Sequence, residues 1–546
     1  MSMKLFTGTI LPFERSALDE VEAMAVEDGK VVAVGAAAEL RAQYPTAPET
    51  ALDGWVMPGL IEAHGHPAGA TLLLSPLVVD LRPVEVPTAD EVMRILKRAI
   101  AAAADSPPAA GIVYANGWDA LLQRGLPELD REVLDRLAGD VPVIIVHNSG
   151  HSAYFNSAAA HAAGINRDAQ DPAGASFVHT ADGELAGVAL EAGAVQVLLA
   201  PLQRVAAERM PELFSSHLSD LARRGITTVA DLSWQPELNP LVSALHTAGD
   251  LPVRLRWYDM SRPNGIVQDR AVTADRSSEI APWFRQVGVK TWSDGSPWIG
   301  NIATSFPYLD TEATRSLGLE PGHVGHANYT AAELEAIAEP YAAAGWQLAC
   351  HVHGDLAIES TLDVYEKLIA RHGLTDHRFR LDHCGAMKPA QYARAAELGV
   401  TVSVFVDHIT YWGEVLVNDL FGSEHGGAWA DAGAAFMAGH RATFHNDGWV
   451  TPNEPFRNMA VAENRTSRSG FQMPGGTPVT REQALFAQTV NAAWQLFSED
   501  EVGSLATGRF ADFIVVDRDP RTVSSEALAD TVVLQTYVGG RRIAQG

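Results

Sequence analysis

Short apolar runs alternate with longer amphipathic stretches through most of the chain. Eight of these runs read as buried strands: Leu60–His66, Thr227–Asp231, Pro252–Trp257, Gly288–Trp292, Gln347–His351, Arg378–His383, Thr401–Val406 and Arg441–Asp447. Helices that alternate with short buried strands predict a parallel α/β architecture. Eight such units fit a TIM-like (β/α)8 barrel, whose active site lies at the carboxyl ends of its strands.

The two ends of the sequence carry a different, β-rich pattern. Residues 1–57 contain short strand-like runs with a hairpin signal at Asp28-Gly29, and residues 496–546 contain similar runs. We expect both ends to form one small β-sandwich, with the barrel of residues 58–495 inserted between them.

Residues 68–200 differ from the regular barrel pattern and predict a loop-rich, alanine-rich insertion. Helices are expected within it at Thr88–Ala104 and Leu129–Leu137, and a buried strand at Val141–His147. One further helix, Pro201–Arg224, is expected to lead back into the barrel.

Composition narrows the class of protein. The chain has 546 residues, 47% of them hydrophobic, which is enough for a large core. A formal charge of −27 argues against nucleic acid and anionic membranes as partners. The two cysteines, Cys350 and Cys384, exclude a disulfide framework, and we expect both to be small core residues. The two cysteines fit a reducing compartment, acidic residues interrupt the N-terminal stretch where a signal peptide needs an apolar core, and no apolar run is long enough to span a bilayer. We therefore expect a cytoplasmic protein, and we also expect its substrate to be a small molecule.

Side chains that can bind a metal stand at the ends of five candidate strands. In an extended chain, residues two apart share a face, so the two histidines of the first strand point the same way. Zinc and related metals prefer imidazole nitrogen and carboxylate oxygen, with one position left for water. We therefore predict a site for one or two divalent metals, with zinc as the first candidate. The candidate ligands are His64, His66, Lys290, His351, His383 and Asp447.

Three of these assignments have alternatives. A lysine ammonium cannot ligate a metal, so Lys290 would act as a bridging carbamate, or else form a salt bridge, for example with Asp294. His353 shares a face with His351 if the strand continues, and we favour His351 because it ends the apolar run. Asp447 would accept the proton of a metal-activated water and pass it to the leaving group, or else it caps a helix.

The motifs VMPGLIEAHGHP, VKTWSDGS, HVHGDLAI, RLDHCG and TFHNDGWVTPNEPF resemble the amidohydrolase superfamily. Within it they are most similar to the amidohydrolase-3 group, which includes N-substituted formamide deformylase and the YtcJ- and AepA-like proteins. The resemblance implies a metal-dependent hydrolase barrel with a β-sandwich, a carboxylated lysine and a homodimeric assembly. It also implies the catalytic role of Asp447.

The same resemblance implies a set of residues that line or cap the substrate pocket, although fold-stabilising loop contacts are an equal alternative for each. Their aromatic members indicate a substrate with an apolar or aromatic substituent. They are Trp118, Asp119, His151, Asn156, Glu191, His408, Tyr411 and Trp412.

These observations favour a metal-dependent hydrolase that cleaves the C–N bond of an N-formyl, N-acyl or cyclic amide. The same machinery serves a hydrolase of esters, lactones or carbamates. A metal-dependent isomerase, decarboxylase or hydratase is a further alternative, because a fold does not determine a function. A non-catalytic binding protein is the least favoured, since the candidate ligands and Asp447 are all present.

Overall fold

The computed structural model describes residues 3–14, 18–104, 111–262, 267–275 and 277–543. Its central feature is a sheet of eight parallel strands, in which each strand pairs with the next along the chain. Strand 8 also packs against strand 1, so the sheet is nearly closed and the TIM-like barrel is confirmed. Strands 1 to 8 are Leu60–Gly65, Ile226–Trp234, Arg254–Met260, Phe284–Trp292, Gln347–Val352, Arg380–His383, Thr401–Val404 and Thr443–Phe444.

Helices cover the outer face of this barrel. Parallel strands are buried on both faces, which explains why they read as continuous apolar runs. All six residues of strand 5 and all four of strand 6 are buried. The helices of the barrel region are Pro67–Leu73, Met210–Arg223, Asn239–Ala248, Arg270–Thr273, Glu312–Ser316, Ala331–Ala343, Asp355–His372, Pro389–Glu397, Asp407–Val415, Gly422–His425, Ala432–Met437, Pro455–Asn464, Arg481–Ala487 and Val490–Gln495.

Segments before and after the barrel share a second sheet, which we call the terminal sheet. Its strands, in spatial order, are Arg541–Arg542, Val533–Val538, Phe513–Val516, Glu49–Pro58, Met3–Ile10, Val21–Glu27 and Lys30–Gly35. The predicted hairpin is confirmed, because Glu27 pairs with Lys30 across Asp28-Gly29. Two helices lie between strands of this sheet in the sequence, Ala37–Gln43 and Ser525–Ala529. The N-terminal and C-terminal segments therefore pair in one sheet, as predicted. Their arrangement as a two-layered sandwich stays a prediction.

Buried arginines fasten the barrel to the segment that follows it. Arg254 on strand 3 donates to both carboxylate oxygens of Asp512, at 2.6 and 3.0 Å, and both side chains are fully or almost fully buried. Arg256 and Arg285 donate to Glu501 at 2.9 and 2.7 Å. The carboxylates satisfy the charges that the arginines bring into the interior.

The insertion is more ordered than the sequence suggested, which corrects the expectation of a loop-rich segment. It contains a six-stranded mixed sheet in the order Ser176–His179, Leu185–Leu190, Ser152–Phe155, Val143–His147, Val113–Trp118 and Val79–Asp80. Separate apolar clusters pack on this sheet. Its helices are Ala89–Ala104, Arg131–Ala138, Ser157–Ala163 and Glu191–Ala206. No helix in the described part of the chain combines the length and apolar character needed to cross a bilayer.

A helix boundary near the insertion also differs from the prediction. A single helix over Pro201–Arg224 was expected, but Pro201 lies inside Glu191–Ala206 and a second helix starts at Met210. The three residues between them turn the chain from the insertion towards the barrel.

Candidate active site

His64, His66 and Asp447 converge at the carboxyl end of the barrel. The Nε2 atoms of His64 and His66 lie 3.5 and 3.1 Å from Oδ1 of Asp447. His64 is completely buried, whereas the side chains of His66 and Asp447 keep 15% and 13% exposure. Ligand atoms of all three fall within 4.8 Å of one another, so one ion could contact them together. The structure therefore brings together three of the candidate ligands, from the ends of the first and eighth strands.

His383 joins this group to a second cluster. Its ring centroid lies 4.3 Å from that of His351 and 4.8 Å from that of His353. Ligand atoms of these three histidines again fall within 4.8 Å of one another. Nδ1 of His383 is 3.9 Å from Asp447 Oδ2. Since both His351 and His353 approach His383, the choice between them as ligands stays a prediction.

The chemistry of these side chains fits a divalent metal. Burial and the neighbouring histidines hold the pKa of His383 well below its usual range, so its ring is neutral. His64 has its pKa lowered to about 4, first by burial and then by Lys290. Nε2 of His383 is buried and has no hydrogen-bond partner among the described residues. A neutral imidazole nitrogen with no protein partner is the kind of atom a metal ligates.

Lys290 lies beside the histidines at the end of strand 4. Its Nζ is 3.4 Å from His64 Nε2 and 3.4 Å from Asp382 Oδ2, and burial lowers its pKa. Asp294, the alternative partner, instead accepts hydrogen bonds from the backbone N–H groups of His353 and Gly354 at 2.9 and 2.7 Å. The carboxylate that contacts Lys290 is therefore Asp382, and not Asp294 as the sequence suggested.

Two residues of this site have a strained backbone. His383 and Asp447 adopt φ angles of 73° and 53°, in the left-handed region that non-glycine residues rarely occupy. Such conformations persist where the surrounding structure enforces them and are concentrated at functional sites. The turn at each strand end directs these two side chains towards the same point.

A cavity opens above the metal-ligand candidates, between the barrel and the insertion. His66, Lys290, His351, His383 and Asp447 line its floor. The insertion helix Glu191–Ala206 and the barrel loops supply the walls, which are mostly apolar. Lining residues of these walls include Leu72, Leu73, Val146, Val195, Leu199, Leu238, Met260, Trp292 and Trp449. Among the described residues that line the cavity, only Lys290 and Asp447 belong to the acidic and basic types lysine, arginine, aspartate and glutamate.

Glycines let Trp449 lie against the insertion at the edge of this cavity. A Cβ atom on Gly69 would come within 2.6 Å of the Trp449 ring, and one on Gly150 within 3.0 Å. Gly150 also has a φ of 74°. Larger residues at either position would push the indole out of place.

His151 and Glu191 form a hydrogen-bonded pair at the cavity. His151 Nδ1 lies 2.7 Å from Glu191 Oε2, and the His151 ring is 4.6 Å from that of His351. Although burial lowers the pKa of His151, Glu191 outweighs it and raises that pKa. His151 lines the cavity, while Glu191 faces an adjoining pocket and accepts a further hydrogen bond from Asn301. Both therefore lie where substrate contact was expected.

Four other predicted substrate residues do not line this cavity. Trp412 donates from Nε1 to Asp119 Oδ2 at 3.1 Å, and His408 accepts from Trp429 at 3.2 Å. Trp118 packs in the core of the insertion. Trp118, Asp119, His408 and Trp412 are all buried, which is compatible with the fold-stabilising alternative, and substrate contact stays a prediction for them.

Asn156 and Tyr411 also serve the fold. Asn156 caps the helix Ser157–Ala163 by accepting from the Ala159 N–H. Tyr411 is hydrogen-bonded to Arg457, away from the cavity. Both cysteines are buried and free, as expected.

His445 is a site residue that sequence reasoning missed. Its ring stacks on that of His64 with centroids 4.7 Å apart, and His64, His383 and His445 form a third potential metal group. The available signal was its position two residues before Asp447, the same spacing that located His64 and His66. Asp382, buried beside Lys290, was also missed; the available signal was a carboxylate within a buried strand, directly before His383.

Comparisons with known proteins identify the family of this chain. The model of the amidohydrolase family matches residues 51–544, and an imidazolonepropionase-like composite domain of bacteria matches residues 23–47. N-substituted formamide deformylase of Arthrobacter pascens is 28% identical over 530 residues, covering 95% of this chain and 94% of that protein. Protein LONG AFTER FAR-RED 3 of Arabidopsis thaliana is 26% identical over 556 residues, covering 98% and 90%.

A solved structure shows the same fold. An uncharacterized metal-dependent hydrolase from Pyrococcus horikoshii OT3 superposes with a TM-score of 0.70 at 22% identity, covering 96% of this chain and 99% of that one. Because the family model spans nearly the whole chain, the protein belongs to the amidohydrolase family, as its motifs predicted.

Proposed function

We propose that this protein hydrolyses the C–N bond of a neutral, amide-like small molecule, such as an N-formyl, N-acyl or cyclic amide. The observation that carries the proposal is the meeting of His66, His383, Asp447 and Lys290 on the floor of one apolar cavity, with His64 buried directly against Asp447 and Lys290. The name of the A. pascens relative, a deformylase of N-substituted formamides, supports the same bond type.

The proposed cofactor is a divalent metal, with zinc as the first candidate and one or two ions per chain. His64, His66, His383 and Asp447 would hold it, with His351 and a carbamate on Lys290 as further ligands. When bound, such a metal polarises the substrate carbonyl and activates a water molecule. The neutral histidines and the unpartnered Nε2 of His383 support this assignment.

Asp447 is the proposed proton carrier. Its carboxylate faces the cavity, and the contacts from His66 and His64 hold its pKa well below its usual range despite burial. It is therefore ionised at neutral pH and can accept a proton from the attacking water. Delivering that proton to the nitrogen allows the amine to leave, because an unprotonated amide nitrogen is a poor leaving group.

The cavity walls support an uncharged substrate with an apolar substituent. Leu72, Val195, Leu199 and Trp449 would contact that substituent, and each buried apolar group contributes to binding. The described walls offer no arginine or lysine above Lys290 to pair with a carboxylate or phosphate of a substrate. An anionic substrate is therefore disfavoured.

Hydrolysis of a matched substrate panel in ¹⁸O-labelled water tests the proposal. The panel pairs N-formyl and N-acyl derivatives of alkyl and aryl amines with the corresponding esters, using protein reconstituted with zinc. We expect the amides to react, the label to enter the carboxylate product, and Asp447→Asn to lose about 10²–10⁴-fold in rate while keeping its metal. The surface variant Asp310→Asn serves as the control and should match the wild type.

Three results would contradict the proposal. Products without solvent oxygen would indicate an isomerase or decarboxylase, and a strong preference for the esters would indicate an esterase. Failure to bind any divalent metal after reconstitution would remove the basis of the mechanism. Metal content of Lys290→Ala separately tests the carbamate, which predicts fewer ions per chain than in the wild type.

A further inference from the structure

A continuous line of buried hydrogen bonds runs from the candidate metal ligand His383 into the barrel core. His383 Nδ1 lies 3.1 Å from His445 Nε2, and His445 Nδ1 lies 2.8 Å from Ser403 Oγ. Thr443 Oγ1 is 2.9 Å from Ser403 Oγ and 2.9 Å from Gln495 Oε1. We call these five residues the His383–Gln495 chain. All five are buried to 1% exposure or less.

The far end of this chain has a fixed direction. Nε2 of Gln495 donates to the backbone carbonyl of Val402 at 3.0 Å and to Thr401 Oγ1 at 3.1 Å. A carbonyl oxygen can only accept, so the amide nitrogen must face Val402 and the amide oxygen must face Thr443. The hydroxyl of Thr443 has one hydrogen, which it therefore donates to Gln495.

That direction determines every hydrogen along the line. The Thr443 hydroxyl is oriented so that it could donate to either Ser403 or Gln495, but it has one hydrogen and the Gln495 oxygen can only accept. With that hydrogen on Gln495, the 2.9 Å contact between Ser403 and Thr443 is completed by the Ser403 hydrogen. Ser403 then accepts from His445 Nδ1–H, which leaves His445 Nε2 as an acceptor. A neutral imidazole carries one N–H, so His445 Nε2 accepts from His383 Nδ1–H.

We infer that the His383–Gln495 chain selects the tautomer of His383 in which Nε2 is free to bind a metal. Nε2 is the buried His383 atom without a hydrogen-bond partner among the described residues. His445, Ser403, Thr443 and Gln495 are positioning residues in this view, since they act through His383 and need no contact with substrate. The inference rests on the proposed metal site and adds how that site is organised.

Thr443 and Thr401 provide a matched pair of variants. Both hydroxyls contact Gln495, both side chains are buried, and valine replaces threonine with nearly the same shape. Thr443→Val removes the acceptor for Ser403, whose hydrogen can then turn to His445 Nδ1. His445 would then donate to His383 Nδ1 and place the hydrogen of His383 on Nε2. Thr401→Val leaves Gln495 anchored on Val402 and preserves the direction.

The zinc dissociation constant, measured by competition with a chromogenic chelator, tests the inference without an activity assay. We expect Thr443→Val to bind zinc roughly 10–100-fold more weakly, the usual effect of losing a partner behind a metal ligand. Thr401→Val should stay within about threefold of the wild type. His445→Gln, which retains an acceptor for His383, should bind more tightly than His445→Leu.

The outcomes separate this inference from the proposed function. Equal affinities for Thr443→Val and the wild type, or equal losses in the two valine variants, would overturn the chain while leaving the metal site intact. Equal losses in His445→Gln and His445→Leu would do the same. A wild-type protein that binds no zinc would overturn the proposed function and this inference together.

Discussion

Replacing Arg254 by methionine tests how the barrel is fastened to the terminal sheet. Arg254 is fully buried, and its guanidinium makes two hydrogen bonds to Asp512 and stacks on Phe510, 3.9 Å from the ring centroid. Methionine retains the apolar stem and removes the charge. After this substitution, the Asp512 carboxylate would still accept one hydrogen bond within the described residues, from the Gly539 backbone N–H to Oδ1 at 2.7 Å.

The expected loss follows from leaving a buried carboxylate without its cation. Breaking a buried ion pair on one side typically costs about 3–5 kcal/mol, and the remaining Gly539 donor places Arg254→Met near the lower value, about 3 kcal/mol. The double variant Arg254→Met/Asp512→Asn removes both charges and keeps an acceptor for Gly539. It should regain most of the loss, because removing a whole buried pair is often close to neutral.

Urea unfolding followed by circular dichroism measures this effect. A chain of this size need not unfold in one step, so the midpoint of the first transition is the quantity to compare. Arg41→Met breaks the exposed Arg41–Glu49 pair and should leave that midpoint unchanged. The reasoning fails if Arg254→Met behaves like this surface control, or if the double variant is less stable than the single one.

Three further predictions concern the metal, the cavity and pH. Removal of metal with a chelator should lower the melting temperature, because buried ligands would then face one another unpaired; an unchanged melting curve would contradict a tightly held ion. Leu199→Trp should narrow the cavity, raising KM for amides with bulky substituents and sparing the smallest amides, which a substrate series would reveal. Burial raises the pKa of Asp119 to about 6, so the native state holds this proton more tightly than the unfolded chain does. Lowering the pH from 7 to 5 should therefore add about 1 kcal/mol of stability through Asp119, and pH-dependent unfolding of Asp119→Asn should lack this gain.

Local periodicity was sufficient to locate the barrel strands and most candidate ligands. Strands of a parallel sheet are short, apolar and bounded by turns, and His64 and His66 follow the two-residue repeat of an extended chain. Strand 8 is only two residues long, so His445 directly follows it and Asp447 begins the turn beyond. Their convergence depends on backbone turns that a strand pattern does not describe.

The insertion shows where local pattern fails. Its sheet pairs Val79–Asp80 with Val113–Trp118, and Ser152–Phe155 with Leu185–Leu190, so part of its order comes from contacts between strands that other elements separate in sequence. Pro201 was a reasonable helix start, since proline favours the first turn, yet tertiary packing keeps it inside Glu191–Ala206. The apolar clusters that enforce this arrangement are assembled only in three dimensions.

Trp118 and Trp412 illustrate why the positions of substrate-binding side chains are harder to predict from sequence than those of candidate metal ligands. Ligands must meet at one point, and the carboxyl ends of barrel strands bring them there whatever the loops do. An aromatic in a loop can face a cavity or fill the core behind it with the same local sequence. Here both tryptophans are in the core, while Trp292 and Trp449 reach the cavity.

The terminal sheet sets an order of events during synthesis on the ribosome. Strand Glu49–Pro58 pairs with Met3–Ile10 on one side and with Phe513–Val516 on the other. Roughly 450 residues separate these partners, so at about 5–20 residues per second the nascent chain exposes an open strand edge for about 20–90 s. An exposed edge can pair with another chain, which makes this interval the period of greatest aggregation risk and of greatest use for a chaperone.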